Sequence, residues 1–356
     1  MRFIQFLLLP VSICYGFMMM IRNLLFDMGI ITHESFEIPV ISIGNLSLGG
    51  TGKTPHTEYL IRLLKERYHI ATLSRGYGRE TDGFILATKE SNVKTIGDEP
   101  LQYIRKFDGI KVAVDEKRAR GIHELIEKYP DLEVILLDDA YQHRYVKPGL
   151  SILLTDYHHM YHDDFVVPSG RLREFTYGAH RADIIIVTKT PKIFSPITRR
   201  MILEDLKPKL HQKIFFSYLK YGGPIPVYYG SSFTFPNKLI SLLLFTGIAN
   251  DYPLKEHLSR YCSNITIMKF NDHHQYTIGD IEKIKKTFYD LPTQSKVIIT
   301  TEKDVMRIKT DELTPLINNL PLFYLPIEID FHDKDKPAFN TVIIDYVSKK
   351  KKISTI

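Results

Sequence analysis

A glycine-rich segment, GNLSLGGTGKT at residues 44–54, contains the residue types that bind phosphate. Its glycines are costly to order, because glycine loses more backbone entropy on folding than any other residue, and this cost indicates backbone that must approach a ligand. Lys53 and Thr54 add an ammonium group and a hydroxyl. The segment fits the phosphate-loop pattern G-x-x-x-x-G-K-[ST], except that Ser47 takes the place of the first glycine. The alternative is a flexible turn that binds nothing.

The position of this segment favours a phosphate loop over a turn. The apolar run EIPVISI before it is typical of a strand, and apolar residues at helical spacing follow it from Thr57 to Leu64. In such a strand–loop–helix unit, backbone N–H groups and the helix N-terminus point at the phosphates. We predict that Lys53 contacts the β- and γ-phosphates and that the Thr54 hydroxyl binds Mg²⁺. The predicted nucleotide-binding residues are Ser47, Leu48, Gly49, Gly50, Thr51, Gly52, Lys53 and Thr54.

A second apolar run, EVILLDD at residues 133–139, ends in two carboxylates. Apolar residues followed by an Asp at a strand end are typical of the Walker-B strand, whose carboxylate holds Mg²⁺ directly or through water. Asp138 and Asp139 would repel each other unless a cation or a donor lay nearby. We therefore predict that both contribute to a magnesium site, although the pair alone would also fit a solvated loop.

The loop does not match two common classes of P-loop protein. Dimerising ATPases with a similar loop carry an extra lysine where this chain has Leu48. GTPases read their base with an NKxD-like motif, whereas ADIIIVTKT at residues 182–190 provides only Thr-Lys without an Asp. GTP is therefore disfavoured, and the two interpretations left open are a kinase and a regulatory P-loop ATPase at a membrane.

Strands and helices alternate along the N-terminal half of the chain. Further apolar runs typical of strands occur at residues 69–74, 111–115, 150–156 and 182–189. This alternation predicts an α/β fold with a mostly parallel sheet, like that of P-loop NTPases, and the continuous apolar character of the strands predicts helices on both faces. Ligands of such sheets bind beyond the carboxyl ends of the strands, where the glycine-rich segment and Asp138 are expected.

Composition limits the class of protein. The 356 residues suit two domains, and 44% hydrophobic and 25% charged residues are ordinary for a globular protein. The formal net charge of +6 fits an anionic partner in general. We expect no nucleic-acid partner, because the sequence has neither zinc-finger spacing nor an aromatic RNA-binding signature. Cys14 and Cys262 form no CxxC pair, which is typical of a reducing compartment.

The apolar N-terminus predicts a membrane-associating helix. Residues 3–21 carry no charge, and a helix of that length spans about 28 Å, close to the thickness of a bilayer's hydrocarbon core. No small-x-small cleavage site follows, which disfavours a signal peptide, and Pro10 would interrupt a spanning helix. We favour an interfacial anchor, because Gln5, Ser12 and Gly16 form a narrow, less apolar stripe. A helix buried against the protein's own core is the remaining alternative.

Seven motifs occur in one order along the chain: GNLSLGGTGKTP, LSRGYGR, GDEP, LLDDAYQHR, GRLRE, FNDHH and TTEKD. Together they resemble the tetraacyldisaccharide 4'-kinase family, the lipid A 4'-kinases of Gram-negative bacteria. The resemblance runs from the apolar N-terminus to about residue 310. The family pattern often has Gly-Phe where this chain has Ala140 and Tyr141.

The resemblance implies transfer of the γ-phosphate of ATP, with Mg²⁺, to the 4'-hydroxyl of an acylated glucosamine disaccharide 1-phosphate. The cytoplasmic face of the bacterial inner membrane is the implied location. It also implies that Lys53 and a dyad of Asp98, in GDEP, and His273, in FNDHH, are catalytic. Which dyad member takes the proton stays open, because either could orient the other. From the residues alone, Asp98 would equally suit a helix cap and His273 a surface loop.

Arginines follow several predicted strands. Arg75 and Arg79, in SRGYGR, are predicted to bind a phosphate of either the substrate or ATP, because Arg pairs with phosphate bidentately. The alternative is a glycine turn with solvated arginines. The GRLRE segment at residues 170–174 is a candidate lid over the nucleotide.

We predict four parts of the chain: an N-terminal helix at 1–30, a P-loop kinase domain at 31–212, a β connector at 213–235, and a smaller α/β/α domain at 236–356. The chain ends in the lysine-rich stretch SKKKKIS, which is either a solvated end or weakly attracted to anionic lipid. We expect closure of the two domains to bring His273 to Asp98.

Overall fold

The computed structural model describes residues 3–228, 233–236, 239–248, 251–272 and 274–354. The chain divides into two compact units. The first comprises Met1–Leu219 and Ile329–Ile356, and the second comprises Lys220–Glu328.

The first unit is built on a nine-stranded sheet. Its strands are β1 (Val40–Asn45), β2 (Ile70–Ser74), β3 (Ile85–Leu86), β4 (Lys111–Val114), β5 (Val134–Asp138), β6 (Leu150–Asp156), β7 (Ile184–Thr188), β8 (Lys213–Tyr221) and, after the second unit, β14 (Ile327–Phe331). They lie in the order β14-β8-β7-β6-β1-β5-β2-β4-β3. The neighbouring pairs from β8 to β4 are parallel, and the short β3 pairs antiparallel with β4.

Helices cover both faces of this sheet. They are α1 (Phe3–Leu7), α2 (Leu9–Asp27), α3 (Lys53–Leu64), α4 (Val93–Ile96), α5 (Asp98–Lys106), α6 (Arg118–Lys128), α7 (Pro196–Leu206) and, at the C-terminus, α12 (Asp335–Ser354). Strands β1, β2, β5 and β7 are buried along their whole length, as their continuous apolar sequences require when helices cover both faces. The predicted fold class is confirmed.

The second unit has its own five-stranded sheet, in the order β11-β10-β12-β13-β9. Its strands are β9 (Ile225–Pro226), β10 (Ser241–Thr246), β11 (Asn264–Lys269), β12 (Lys296–Thr301) and β13 (Leu322–Leu325). Its helices are α8 (Tyr252–Leu258), α9 (Ile278–Tyr289), α10 (Glu302–Ile308) and α11 (Thr314–Ile317). Asp304, in the TTEKD motif, is fully buried and accepts hydrogen bonds from the hydroxyls of Thr246, Tyr276 and Thr301. The carboxylate thus ties three elements of this unit together.

The C-terminal segment does not belong where the sequence analysis placed it. Residues 329–356, assigned there to the second domain, belong to the first unit. The physical reason is the apolar face of α12, which buries Phe339 and Ile343 in the first unit, while the Tyr346 hydroxyl donates to the Val40 carbonyl at 3.2 Å. Within the predicted lysine tail, Lys350 donates to the Phe36 carbonyl at 2.8 Å, and the side chains of 351–354 lie outside the described part.

The predicted connector divides between the two sheets. Strand β8 lies in the first sheet, whereas β9 pairs with β13 in the second. The two strands flanking the Gly-Gly-Pro turn therefore do not pair with each other. Residues 229–232 of the predicted connector lie outside the described residues.

Among the described residues, one helix, α2, is long and apolar enough to cross a membrane by length and composition. Its less apolar stripe faces the protein: the Ser12 hydroxyl accepts from the Ser169 amide at 2.8 Å, and a Cβ at Gly16 would collide with the Phe175 ring. The opposite side of the helix exposes large apolar residues to solvent, namely Val11, Ile13, Phe17, Met18, Met20, Ile21 and Leu24. Most of α2 is therefore not buried against the protein's own core.

Candidate active site

The phosphate loop connects β1, in the middle of the sheet, to α3. Gly52, just before the helix, has φ +91°, a conformation that favours glycine. The Asn45 amide donates to the Thr51 hydroxyl at 2.9 Å, and the Thr188 hydroxyl at the end of β7 donates to the Thr51 carbonyl at 2.9 Å. In the first turn of α3 the Lys53 and Thr54 amides have no partner within the helix, whereas Pro55 has no N–H group. Hydrogen bonds from the ends of β1 and β7 thus fix Thr51 in the loop, close to the start of the helix.

The GRLRE segment runs along the phosphate loop. The Leu48 amide donates to the Arg171 carbonyl at 2.6 Å, and the Arg173 amide donates to the Leu46 carbonyl at 2.7 Å. Lys189, after β7, adds a third support, because its ammonium group donates to the Gly50 carbonyl at 2.5 Å and to Asp156 at 2.6 Å. We call residues 170–174 the strap. Sequence reasoning missed this pairing, which holds the loop backbone from its outer edge.

Lys53 and Asp139 lie within reach of each other. The Lys53 ammonium nitrogen is 3.7 Å from Asp139 Oδ1, and Arg173 pairs bidentately with the same carboxylate at 3.0 and 3.2 Å. Burial alone would raise the pKa of Asp139, but the charges of Lys53 and Arg173 bring the pKa below its ordinary value. Asp139 is therefore ionised, and its φ of +46° puts it in the left-handed region that non-glycine residues rarely adopt.

Asp138, at the end of β5, is fully buried. The Tyr103 hydroxyl donates to its Oδ2 at 2.7 Å and the Thr57 hydroxyl to its Oδ1 at 3.4 Å. Burial, reinforced by the charge of Glu99, raises the pKa of Asp138 to about 7. A nearby cation would compensate the charge of this buried carboxylate and so stabilise its ionised form.

Glu99 belongs to this cluster, although the sequence analysis gave it no role. The Thr54 hydroxyl donates to Glu99 Oε1 at 3.0 Å, so the predicted metal-binding hydroxyl already faces a carboxylate. Asp98, its neighbour, begins α5, is 4% exposed, and accepts from the Glu99 amide at 3.0 Å. The adjacent Asp-Glu pair at a helix start was the sequence signal that could have identified Glu99.

The chemistry of this cluster fits Mg²⁺. The ion prefers oxygen ligands and commonly takes one or two carboxylates, with phosphate oxygens and waters completing the shell. Thr54, Asp138 and Glu99 supply oxygens of that kind, and Thr54 and Glu99 are hydrogen-bonded to each other. Within the described residues no group of three His, Cys, Asp or Glu side chains is placed to hold a metal ion.

The arginines near the site differ in their burial and in their hydrogen-bond partners. Arg79 donates to Glu116 at 2.7 Å and to the Gly83 carbonyl at 2.8 Å, so it braces its own loop, whereas Arg75 is exposed at the end of β2. Arg118, at the start of α6, is 3% exposed, and its buried Nε has no hydrogen-bond partner. Burial lowers the pKa of Arg118 to about 10, against the opposing charges of Asp139 and Asp138.

His273, the proposed partner of Asp98, lies outside the described residues. Tyr141 is buried, and its hydroxyl donates to the Gly178 carbonyl at 2.7 Å. The hydroxyl group of Tyr141, which a phenylalanine would lack, therefore has a hydrogen-bond partner.

Known proteins of one kind match the whole chain. A sequence model of the family described as tetraacyldisaccharide-1-P 4'-kinase matches residues 4–348. The tetraacyldisaccharide 4'-kinase of Bacteroides thetaiotaomicron is 46% identical over 98% of this chain and 94% of its own length, and that of Flavobacterium johnsoniae is 44% identical over 98% and 99%. A crystal structure of LpxK from Aquifex aeolicus in complex with ATP, 24% identical, covers 97% of this chain and 99% of its own with a TM-score of 0.72, which shows the same fold. The chain belongs to the tetraacyldisaccharide-1-phosphate 4'-kinase family.

Proposed function

We propose that the family's reaction, transfer of the γ-phosphate of ATP to the 4'-hydroxyl of a tetraacylated glucosamine disaccharide 1-phosphate, takes place beside Lys53, Thr54 and Asp138. The observation that carries this proposal is the convergence of the three side chains, from one loop and one strand end, at the carboxyl edge of a parallel sheet. Lys53 would contact the β- and γ-phosphates and stabilise the charge that develops during transfer.

Thr54 and Asp138, together with Glu99, would hold Mg²⁺ against the phosphates. When bound, the ion neutralises charge on the transferring group. Asp139 is already ion-paired with Lys53 and Arg173, which supports a role in placing Lys53 as well as the metal-binding role predicted for it. The residues from Ser47 to Thr54 would surround the nucleotide phosphates.

Asp98 is the proposed acceptor of the substrate proton. In the transfer, the 4'-oxygen forms a bond to the γ-phosphorus, the bond from that phosphorus to the β–γ bridging oxygen breaks, ADP leaves, and the hydroxyl proton passes to a base. Asp98 is buried at the start of α5, next to the Glu99 that bonds Thr54, which supports this role. The family resemblance adds His273 to the catalytic set.

Arg75 and Arg118 are the proposed contacts for a phosphate of the substrate or of ATP. The pKa of His143 is lowered to about 4, mainly by burial and further by the charges of Arg118 and Arg75. The three side chains are therefore close enough to interact electrostatically. The unpartnered Nε of Arg118 leaves a buried donor for an incoming anion. Arg79, also predicted from the sequence, would act indirectly through its loop.

The lipid substrate and α2 support attachment to a membrane surface. We propose that the exposed apolar side of α2 enters the cytoplasmic face of the inner membrane, while Ser12 and Gly16 hold the helix to the protein. No observation on the site or among the relatives favours the alternative, a regulatory P-loop ATPase.

The test is a transfer assay with radiolabelled γ-phosphate on ATP and the tetraacylated disaccharide 1-phosphate, with and without Mg²⁺. We expect labelled lipid only with Mg²⁺, and a Lys53→Ala variant should lower turnover at least ~100-fold because it removes charge stabilisation of the transition state. Lys207→Ala, an exposed lysine after α7, is the matched control and should match the unsubstituted protein. Slow ATP hydrolysis without labelled lipid would contradict the proposal and favour the regulatory alternative.

A further inference from the structure

A buried glutamate, Glu58, lies between the two helices that carry the proposed site. Helix α3 begins at Lys53 in the phosphate loop, and α5 begins at Asp98. Glu58 is one helical turn after Thr54, on the same face of α3, and is fully buried.

Glu58 pairs with Arg62 on its own helix, at 3.3 Å, and with two residues on the face of α5 that also carries Glu99. The Gln102 amide donates to Glu58 Oε1 at 2.8 Å, and the Lys106 ammonium nitrogen is 2.8 Å from Oε2. Residues 99, 102 and 106 are spaced by three and four, so they share one side of the helix. The Thr54–Glu99 bond and the Glu58 contacts therefore form consecutive rungs between α3 and α5.

Burial of the charged Glu58 side chain costs folding free energy, and packing alone would not require a charge at this position. Burying the Glu58 carboxylate is expensive even with Lys106, which is partly exposed, beside it, and apolar residues of similar volume often stabilise a protein as well or better. A charged, hydrogen-bonded rung adds a fixed register between two helices, because slippage along either helix would break the Gln102 hydrogen bond and separate Lys106 from Glu58.

We propose that Glu58 is a positioning residue, which sets the register of α5 against the phosphate-loop helix through Gln102 and Lys106 and so places Glu99 and Asp98. The inference rests on the proposed roles of Thr54, Glu99 and Asp98. It predicts that loss of the rung weakens use of Mg²⁺ and turnover, while the phosphate loop itself still binds ATP.

The test compares two variants of the full chain in the transfer assay. Glu58→Ala removes the rung and takes this carboxylate away from both Lys106 and Arg62. Glu58→Leu with Gln102→Met and Lys106→Met replaces the rung by apolar packing, which separates register from stability. For the triple variant we expect turnover to fall ~10- to 100-fold, as misplacement by about 1 Å can produce, and half-saturating Mg²⁺ to rise about fivefold or more. Its melting temperature and its Kd for ATP should stay close to those of the unsubstituted protein.

Asp335→Asn is the matched control. Asp335 is also buried and paired bidentately, with Arg199 at 2.7 and 2.8 Å, but its partners lie on α7 and β8. It should lower the melting temperature without changing the Mg²⁺ requirement. Unchanged turnover and Mg²⁺ dependence in the triple variant would overturn the inference while leaving the proposed function intact. Absence of lipid phosphorylation by the unsubstituted protein would overturn both.

Discussion

Asp138, the proposed magnesium ligand, is a buried carboxylate whose ionisation costs the folded protein stability. Its carboxylate has two hydroxyl donors but lies near the charges of Glu99 and Asp139, and burial raises its pKa from 3.8 to about 7. Since the unfolded chain would keep the ordinary pKa, the folded protein binds more protons at this site between about pH 4 and pH 7. The contribution of Asp138 to stability therefore falls as the pH rises through that window.

A substitution of Asp138 tests the direction of this pH dependence of stability. Asp138→Asn, which mimics the protonated form, should raise the melting temperature of the ligand-free protein by a few degrees (~2–4 °C per kcal/mol) at pH 8 and change it little at pH 4. Phosphoryl transfer should be lost at both pH values because the metal loses its carboxylate. Thermal denaturation followed by circular dichroism measures the first effect. An equal shift at the two pH values would show that ionisation of Asp138 is not its cause.

The proton on Asp138 would compete with Mg²⁺ for the carboxylate. Half-saturating Mg²⁺ in the transfer assay should rise as the pH falls below about 7, because the cation must displace the proton from Asp138. The measurement is a set of Mg²⁺ titrations of ATP turnover between pH 6 and pH 8.5. A requirement that stays constant over this range would contradict direct binding of the ion by Asp138.

Asp98 is predicted to affect the chemical step and not nucleotide binding. Asp98→Asn keeps the size and the hydrogen-bonding oxygen of the side chain but removes the base, so kcat should fall about 100-fold or more while the Kd for ATP changes less than about threefold. Single-turnover transfer and calorimetric ATP titration measure the two quantities. Turnover near that of the unsubstituted protein would remove Asp98 from the catalytic set.

At the scale of elements, local patterns predicted most of the parts. The apolar run that ends in Asp138 forms β5, and the one before the phosphate loop forms β1. Both were predictable because a strand buried on both faces requires a continuous run of apolar residues. The pairing of the strap with the phosphate loop left no such mark, because it uses backbone groups of Leu46 and Leu48 that any residue would offer. The partners of Glu58 were hidden for a related reason, since helix-to-helix register depends on tertiary packing and not on local spacing.

Helix α2 is predicted to attach the protein to membranes through its exposed side. Val11 and Met18 are 56% and 59% exposed, and changing both to Glu should move the protein from the membrane pellet to the soluble fraction, with at least tenfold weaker binding to vesicles of phosphatidylglycerol because each apolar contact contributes ~1.5–3 kcal/mol. Met201→Glu, at 58% exposure on α7, is the matched control. The role of α2 as anchor would be contradicted if both proteins pelleted alike.

At the scale of the whole molecule, the first unit depends on its C-terminal helix. Phe339 is 1% exposed and packs against Tyr59, Phe215 and Phe331. Phe339→Ala should cost about 3–5 kcal/mol and lower the melting temperature by roughly 6–20 °C. Tyr177→Ala, at a 67% exposed aromatic, should change it little. A small effect of Phe339→Ala would show that α12 does not support the first unit.

The path of the chain through its two units has a consequence for biosynthesis. The second unit is an uninterrupted stretch, whereas the first is left at Leu219 and resumed only at Ile329. On the ribosome, at ~5–20 residues per second, roughly 5–20 s separate emergence of β8 from that of its sheet neighbour β14. During that interval the nascent kinase has an incomplete sheet edge beside β8, and this is the period in which a chaperone would protect it most.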